Sequence, residues 1–225
     1  MSTPEVFITG GTGYLGRSLI EALVARGIPV AALARQGSER KLPHGCRVVI
    51  GDVFRPASYA EAIARESTLV PLVGTAKPAP WKGSEIRAID GAYLAAALEA
   101  GQRASVRQVV YVSVAHPAPV MRAYIAVRAE CELSLRASGL AATILRPWYV
   151  LGPGHRWPLA LAPLYWLAER LPPTRAGAQR LGLVTWQEMR AALLWAIENP
   201  AEGVRVLDVP ALRRVSRNSG LDPRP

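Results

Sequence analysis

At 225 residues, half of them hydrophobic, the chain is long enough to bury one sizeable core and too apolar to be globally disordered. Its two cysteines (Cys46, Cys131) and three histidines (His44, His116, His155) share no ligand spacing, which argues for reduced thiols in a cytoplasmic protein and against a bound metal. The formal charge of +10 comes mostly from scattered arginines with no basic run among aromatics, so nucleic acid is not expected, whereas an anionic cofactor or membrane surface would suit it.

Val6-Phe7-Ile8-Thr9 is a short β-branched and aromatic run that predicts a buried strand within the first few residues, with no leader ahead of it. The run breaks at Gly10-Gly11 and resumes at Arg17 with apolar residues at helical spacing as far as Gly27. Gly11, Gly13 and Gly16 fit G-x-G-x-x-G, and Gly10, Gly13 and Gly16 fit a looser form. Glycines between a strand and a helix make a tight turn. They let a diphosphate approach the backbone and allow the helix to pack close to its strand. The helix N-terminus then offers free N–H groups and partial positive charge to the phosphates. Gly10, Gly11, Thr12, Gly13, Tyr14, Leu15 and Gly16 are therefore the expected cradle for a dinucleotide.

Ile28 to Ala34 predicts a second strand ending at Arg35-Gln36-Gly37-Ser38. An acid at this point holds the ribose 2′-hydroxyl of NAD, and an arginine accommodates the 2′-phosphate of NADP. Arg35 therefore favours NADP(H), with NAD(H) still possible, and Arg17 is a second candidate for the phosphate. A solvated loop arginine is the alternative reading of Arg35. Arg47 to Asp52 predicts a third strand ending in Gly-Asp. Asp52 is expected either to accept from an adenine amino group, with Val53 packed on the ring, or to cap a helix starting near Pro56.

Ser67 to Val73 predicts a fourth strand, interrupted by Pro71, that runs into a proline-rich loop, Gly74 to Gly83. Gly74 and Thr75 are the expected backbone contacts there. A helix from about Ser84 to Gly101, a fifth strand Val109–Val114 and a helix around Tyr124–Glu132 follow, then a sixth strand over Ala142–Pro147. This alternation predicts an α/β fold, a Rossmann-type doubly wound parallel sheet over residues 1–150. From Trp148 the texture changes. Aromatics and prolines (Trp148, Tyr149, Trp157, Tyr165, Trp166) crowd together, and Val184–Glu198 predicts a helix and Val204–Val209 a strand. Residues 151–212 are expected to form a small C-terminal lobe interleaved with that domain and shaping a substrate pocket, and 213–225 a flexible tail. The longest apolar run, Pro158–Leu167, is about half the ~20 residues a membrane span requires.

With these pieces in order, the chain resembles the short-chain dehydrogenase/reductase superfamily, in its atypical and extended branches of NAD(P)H-binding, NmrA-like and epimerase-like proteins. The matching segments are Thr9–Gly16, Gly51-Asp52-Val53, Tyr111–Val114, and Ser138-Gly139-Leu140 followed by Thr143–Pro147, together spanning residues 4 to about 155. The resemblance implies a small-molecule substrate, a monomer or homodimer, and a cofactor contact at Pro147. It also implies that Ser113 steadies a substrate oxygen and that Tyr124 gives or takes its proton. Active relatives carry a lysine four residues after the tyrosine that lowers its pKa and holds the nicotinamide ribose, and this chain carries Arg128 there, the implied ribose contact. The spacing keeps both side chains on one helix face. A guanidinium is still a cation that favours tyrosinate, yet it is wider and bonds as a planar fork. Cofactor binding is thus expected more firmly than turnover. Two readings follow: an NADP-dependent oxidoreductase or isomerase using Tyr124, Ser113 and Arg128, or a non-catalytic NADP(H)-binding sensor or assembly protein.

Overall fold

The computed structural model describes residues 4–75, 82–118, 120–152, 177 and 180–218. Seven strands form one sheet in the order β3-β2-β1-β4-β5-β6-β9, and every neighbouring pair is parallel. The strands are β1 (Val6–Thr9), β2 (Val30–Ala34), β3 (Arg47–Ile50), β4 (Thr68–Pro71), β5 (Gln108–Val112), β6 (Ala142–Leu145) and β9 (Val204–Leu207). Two short strands, β7 (Tyr149–Leu151) and β8 (Leu183–Thr185), pair with each other in a separate parallel ribbon.

The central strands are near-continuous apolar runs because both faces of the sheet are covered. Alternate residues feed two cores. Ile8, Ala32, Val70 and Val110 face one cluster, and Phe7, Ala31, Leu69 and Val109 face the other. The first cluster is closed by α1 (Tyr14–Ala25) through Leu19, Ile20 and Leu23, and by a late helix, residues 186–198, through Met189, Leu193 and Leu194. The second is closed by Tyr59, by a helix over residues 92–104 through Tyr93 and Leu94, and by α4 (Arg122–Ala137) through Val127 and Leu135. After β3 the chain crosses back past β1 to β4. The sheet therefore has its topological switch between β1 and β4, where a crevice opens at the strands' C-terminal ends.

Several elements differ from the sequence expectation. The helix expected from Ser84 is α2 (Gly83–Ile86), a π turn over Arg87–Gly91, and α3 (Ala92–Ala104), run together. The helix expected near Pro56 is only two 3₁₀ turns, Pro56–Ser58 and Ala60–Ala62, because Tyr59 between them leaves helical geometry at φ −147°. The late helix α5 (Trp186–Glu198) starts after Val184. Thr185 stops it there with a capping box, its hydroxyl accepting from Glu188 N while the Glu188 carboxylate accepts from Thr185 N. Arg213–Asn218 is not a frayed tail but the end of α6 (Val209–Asn218). Val209, Leu212 and Ser216 are buried at helical spacing, and Arg213 donates to the Leu183 carbonyl at 2.6 Å. The proline-rich segment 76–81, the aromatics Trp157, Tyr165 and Trp166, and residues 219–225 lie outside the described residues.

Candidate functional site

The site begins at the turn between β1 and α1. Gly10 has φ +75°, and the Gly13 amide donates to its carbonyl at 3.0 Å. A Cβ on Gly16 would stand 2.4 Å from the Gly10 carbonyl oxygen, so α1 crosses the turn more closely than any other residue permits. Gly13 is the N-cap of α1 and brings no capping side chain, and the first helical turn holds no acid. The helix thus presents uncapped N–H groups and a positive dipole end to the crevice, which fits an anionic group.

A cleft of about 900 Å³ opens over this turn. It brings together the predicted residues Gly10, Thr12, Gly13, Arg35, Asp52, Val53 and Gly74. Gly11, Tyr14, Leu15, Gly16, Arg17, Thr75 and Pro147 do not line it. Gly11 turns inward, where a Cβ would meet Ile20 at 2.8 Å. Tyr14 is half exposed and meets Trp186 edge-on at 6.0 Å, with the Arg190 guanidinium over that indole at 4.7 Å. Burial raises the Tyr14 phenol more than the Arg190 charge lowers it. Arg17 is exposed on α1, and Pro147 is buried with its carbonyl accepting from Ala115 N. Sequence reasoning missed Ile50 and Phe54, which line the cleft 49% and 46% exposed. Their signal was apolar side chains flanking Gly51-Asp52 at a strand's end. Asp52 caps no helix. Its carboxylate accepts from Phe54 N at 3.0 Å and lies 3.6 Å from Arg55.

Behind Gly74 lies a second cluster. Tyr124 and Arg128 do share a face of α4, with the guanidinium 5.2 Å from the Tyr124 ring centroid. Arg128 is 8% exposed and already partnered. It donates to Tyr111 Oη at 2.9 Å and to the Val112 carbonyl at 3.2 Å, and it pairs with Asp90 Oδ2 at 3.1 Å. Burial pulls the guanidinium down, but Tyr124, Tyr111 and Asp90 outweigh it and hold the charge on Arg128 more firmly than usual. Asp90 Oδ1 accepts from Thr75 N at 2.8 Å and Thr75 Oγ1 at 2.9 Å.

Ser113, just past β5, donates to Glu132 Oε1 at 2.6 Å. Arg146 clasps the same carboxylate with two bonds, and His116 Nε2 stands 3.4 Å from it. Burial pushes the Glu132 carboxyl up, but hydrogen bonds from Arg146 and Ser113 and the charge of Arg146 more than reverse this and hold it below the usual range. Sequence reasoning missed both acids. Glu132 was marked by continuing the four-residue step of Tyr124 and Arg128 along one helix face. Asp90 carried no such mark.

A family model described as NAD(P)H-binding matches residues 10–155. Among curated proteins, the ceramide reductase of Caulobacter vibrioides is 29% identical over 203 residues, covering 88% of this chain and 62% of that protein. The 3-diazoavenalumate denitrifying reductase of Streptomyces is 27% identical over 229 residues, covering 88% of this chain and 74% of its own. The chain thus spans less than two thirds of the ceramide reductase's length. Among solved structures, the Bordetella bronchiseptica enzyme WbmH in complex with NAD+ matches with a TM-score of 0.67 at 18% identity, covering 92% of this chain and 76% of that one. MoeE5 in complex with UDP-glucose and NAD matches at 0.66 and 20%, covering 96% and 82%. At such identities the structural likeness is one of fold. No described helix is long and apolar enough to cross a membrane.

Proposed function

The chain belongs to the NAD(P)H-binding family, in the atypical part of the short-chain dehydrogenase/reductase superfamily, and from that premise we propose that it is an NADP-dependent oxidoreductase or isomerase acting on a small carbonyl or hydroxyl compound. The observation that carries this reading is the cleft running from Arg35 across the Gly10–Gly13 turn to Gly74. In this reading the uncapped N-terminus of α1 holds the diphosphate, with Gly11, Leu15 and Gly16 setting its position. Arg35 pairs with the 2′-phosphate, and Val53 packs on adenine beside Asp52. Gly74 borders the other end, and Thr75 steadies that wall through its two bonds to Asp90.

A bound nicotinamide supplies or accepts the hydride. Tyr124 gives or takes the proton of the substrate oxygen, and Ser113 orients that oxygen. Arg128, facing the Tyr124 ring, stabilises negative charge on the phenolic oxygen as the proton moves. The β7–β8 ribbon, which stands apart from the main sheet, belongs in this reading to the lobe that shapes the substrate pocket.

The test is fluorescence titration with NADPH and NADH, followed by NADPH oxidation against a carbonyl panel. Tighter binding of NADPH is expected, and preference for NADH would overturn the role of Arg35. Tyr124→Phe is expected to lower kcat about 100-fold or more while leaving nucleotide affinity unchanged. Parental turnover in that variant would remove Tyr124 from the chemistry. A second reading, nucleotide binding without turnover, draws on one observation: Arg128 is taken up by Asp90 and Tyr111. Tight NADPH binding with no oxidation across the panel would favour it.

A further inference from the structure

Asp90 lies at the π turn, where the widened backbone carries Ile89 to the cleft lining and Asp90 into the interior. Asp90 is 1% exposed, and its ion pair with Arg128 joins three elements. Oδ2 faces the α4 guanidinium, Oδ1 receives both donors of Thr75 after β4, and the Asp90 carbonyl accepts from Cys131 Sγ at 3.8 Å. Gly74 stands between this pair and the cleft. A Cβ on Gly74 would stand 2.8 Å from Arg128 Nη2 and 4.0 Å from Asp90 Oδ1. The guanidinium therefore packs directly on the bare backbone that walls the cleft.

We infer that Asp90 is a positioning residue that balances charge: it fixes Arg128 against the Gly74–Thr75 wall and keeps the ground behind that end of the cleft electrically neutral. This rests on the dinucleotide reading of the cleft. With the diphosphate on the Gly10–Gly13 turn and the adenosine half toward Arg35 on the β2 and β3 side, the nicotinamide half lies toward Gly74 on the β4 side. Oxidised nicotinamide carries a positive ring and the reduced ring is neutral. A neutral Asp90–Arg128 pair leaves the two forms to be held on equal electrostatic terms. An unopposed charge on either partner would tilt that balance through a single glycine.

The experiment measures dissociation constants for NADP+ and NADPH separately, by calorimetry and by nucleotide fluorescence. In Asp90→Asn the bare guanidinium is expected to weaken NADP+ relative to NADPH by about tenfold or more. In Arg128→Gln the bare carboxylate is expected to shift the ratio the opposite way. The double variant Asp90→Asn/Arg128→Gln is expected to restore the parental ratio. Thr75→Val removes a hydroxyl and no charge, so it is expected to weaken both forms alike. A merely structural role would move both forms together in every variant. Ratios within about twofold of the parent in Asp90→Asn and Arg128→Gln would overturn the inference. Should Asp90→Asn fail to fold, Arg128→Gln and the double variant carry the same test. A parent protein that binds neither nucleotide would instead sink the cofactor reading itself.

Discussion

Single residues set the terms on which the cleft works. Gly16 has no room for a methyl group, because the atoms in the way are backbone, the Gly10 carbonyl oxygen and Gly11 Cα at 2.4 and 2.8 Å. Gly16→Ala is expected to destabilise the fold by about 1–3 kcal/mol in urea melts. The same variant is expected to weaken NADPH binding, since the turn itself must shift. Arg35 is exposed at the cleft and, among the described residues, makes no capping or ion-pair contact, so replacing it separates recognition from stability. A charge-assisted bond to phosphate contributes about 1.5–3 kcal/mol. Arg35→Ser is thus expected to raise the NADPH dissociation constant about 10- to 100-fold and leave NADH unchanged, read by fluorescence titration.

At the scale of elements, α4 is the busiest. One face carries Tyr124, Arg128 and Glu132 inward, and Glu132 ties the end of β5 (Ser113) to the end of β6 (Arg146). Glu132→Gln is expected to cost about 2–3 kcal/mol at neutral pH, because Arg146 and Ser113 lose a charged acceptor. The pH dependence follows from the direction of the shift. A carboxyl held below its ordinary range contributes stability that is full above about pH 4.3 and is lost as pH falls further. Acid melts of the parent should steepen below that point, and those of Glu132→Gln should be flatter there. The strands and α1 were legible because a run buried on both faces, such as Val6–Thr9 or Ala142–Leu145, is apolar or β-branched throughout. Asp90 was not legible as an interior group, and Glu132 was marked only by its place on the Tyr124–Arg128 face. An acid within a helix reads as a solvent face until a partner from a distant segment, Thr75 or Arg146, is brought to it. The end of the chain misled for a similar reason. Arg213, Arg214 and Arg217 look like a solvated tail, and the burial that makes α6 a helix rests on Val209 and Leu212 meeting α5.

For the whole molecule, the parallel sheet divides the protein into two cores of different origin. The core beneath α3 and α4 is assembled from buried residues in the first two thirds of the chain, Phe7 to Ile144. The core beneath α1 takes Val6, Leu19, Ile20 and Leu23 from one end and Met189, Leu193, Leu207 and Leu212 from the other. Stopping the chain before Leu183 is expected to strip α1 of that cover and leave a product that binds hydrophobic dye and aggregates, measured by dye fluorescence and light scattering. The same division orders events during synthesis. The glycine turn leaves the ribosome ahead of α5, β9 and α6, so α1 stays half-clothed until they have followed it out. A nascent chain therefore carries its phosphate cradle, while the intervening strands and helices are made, without the packing that holds it in shape. In the proposed reading, nucleotide capture thus waits on segments made well after the cradle itself.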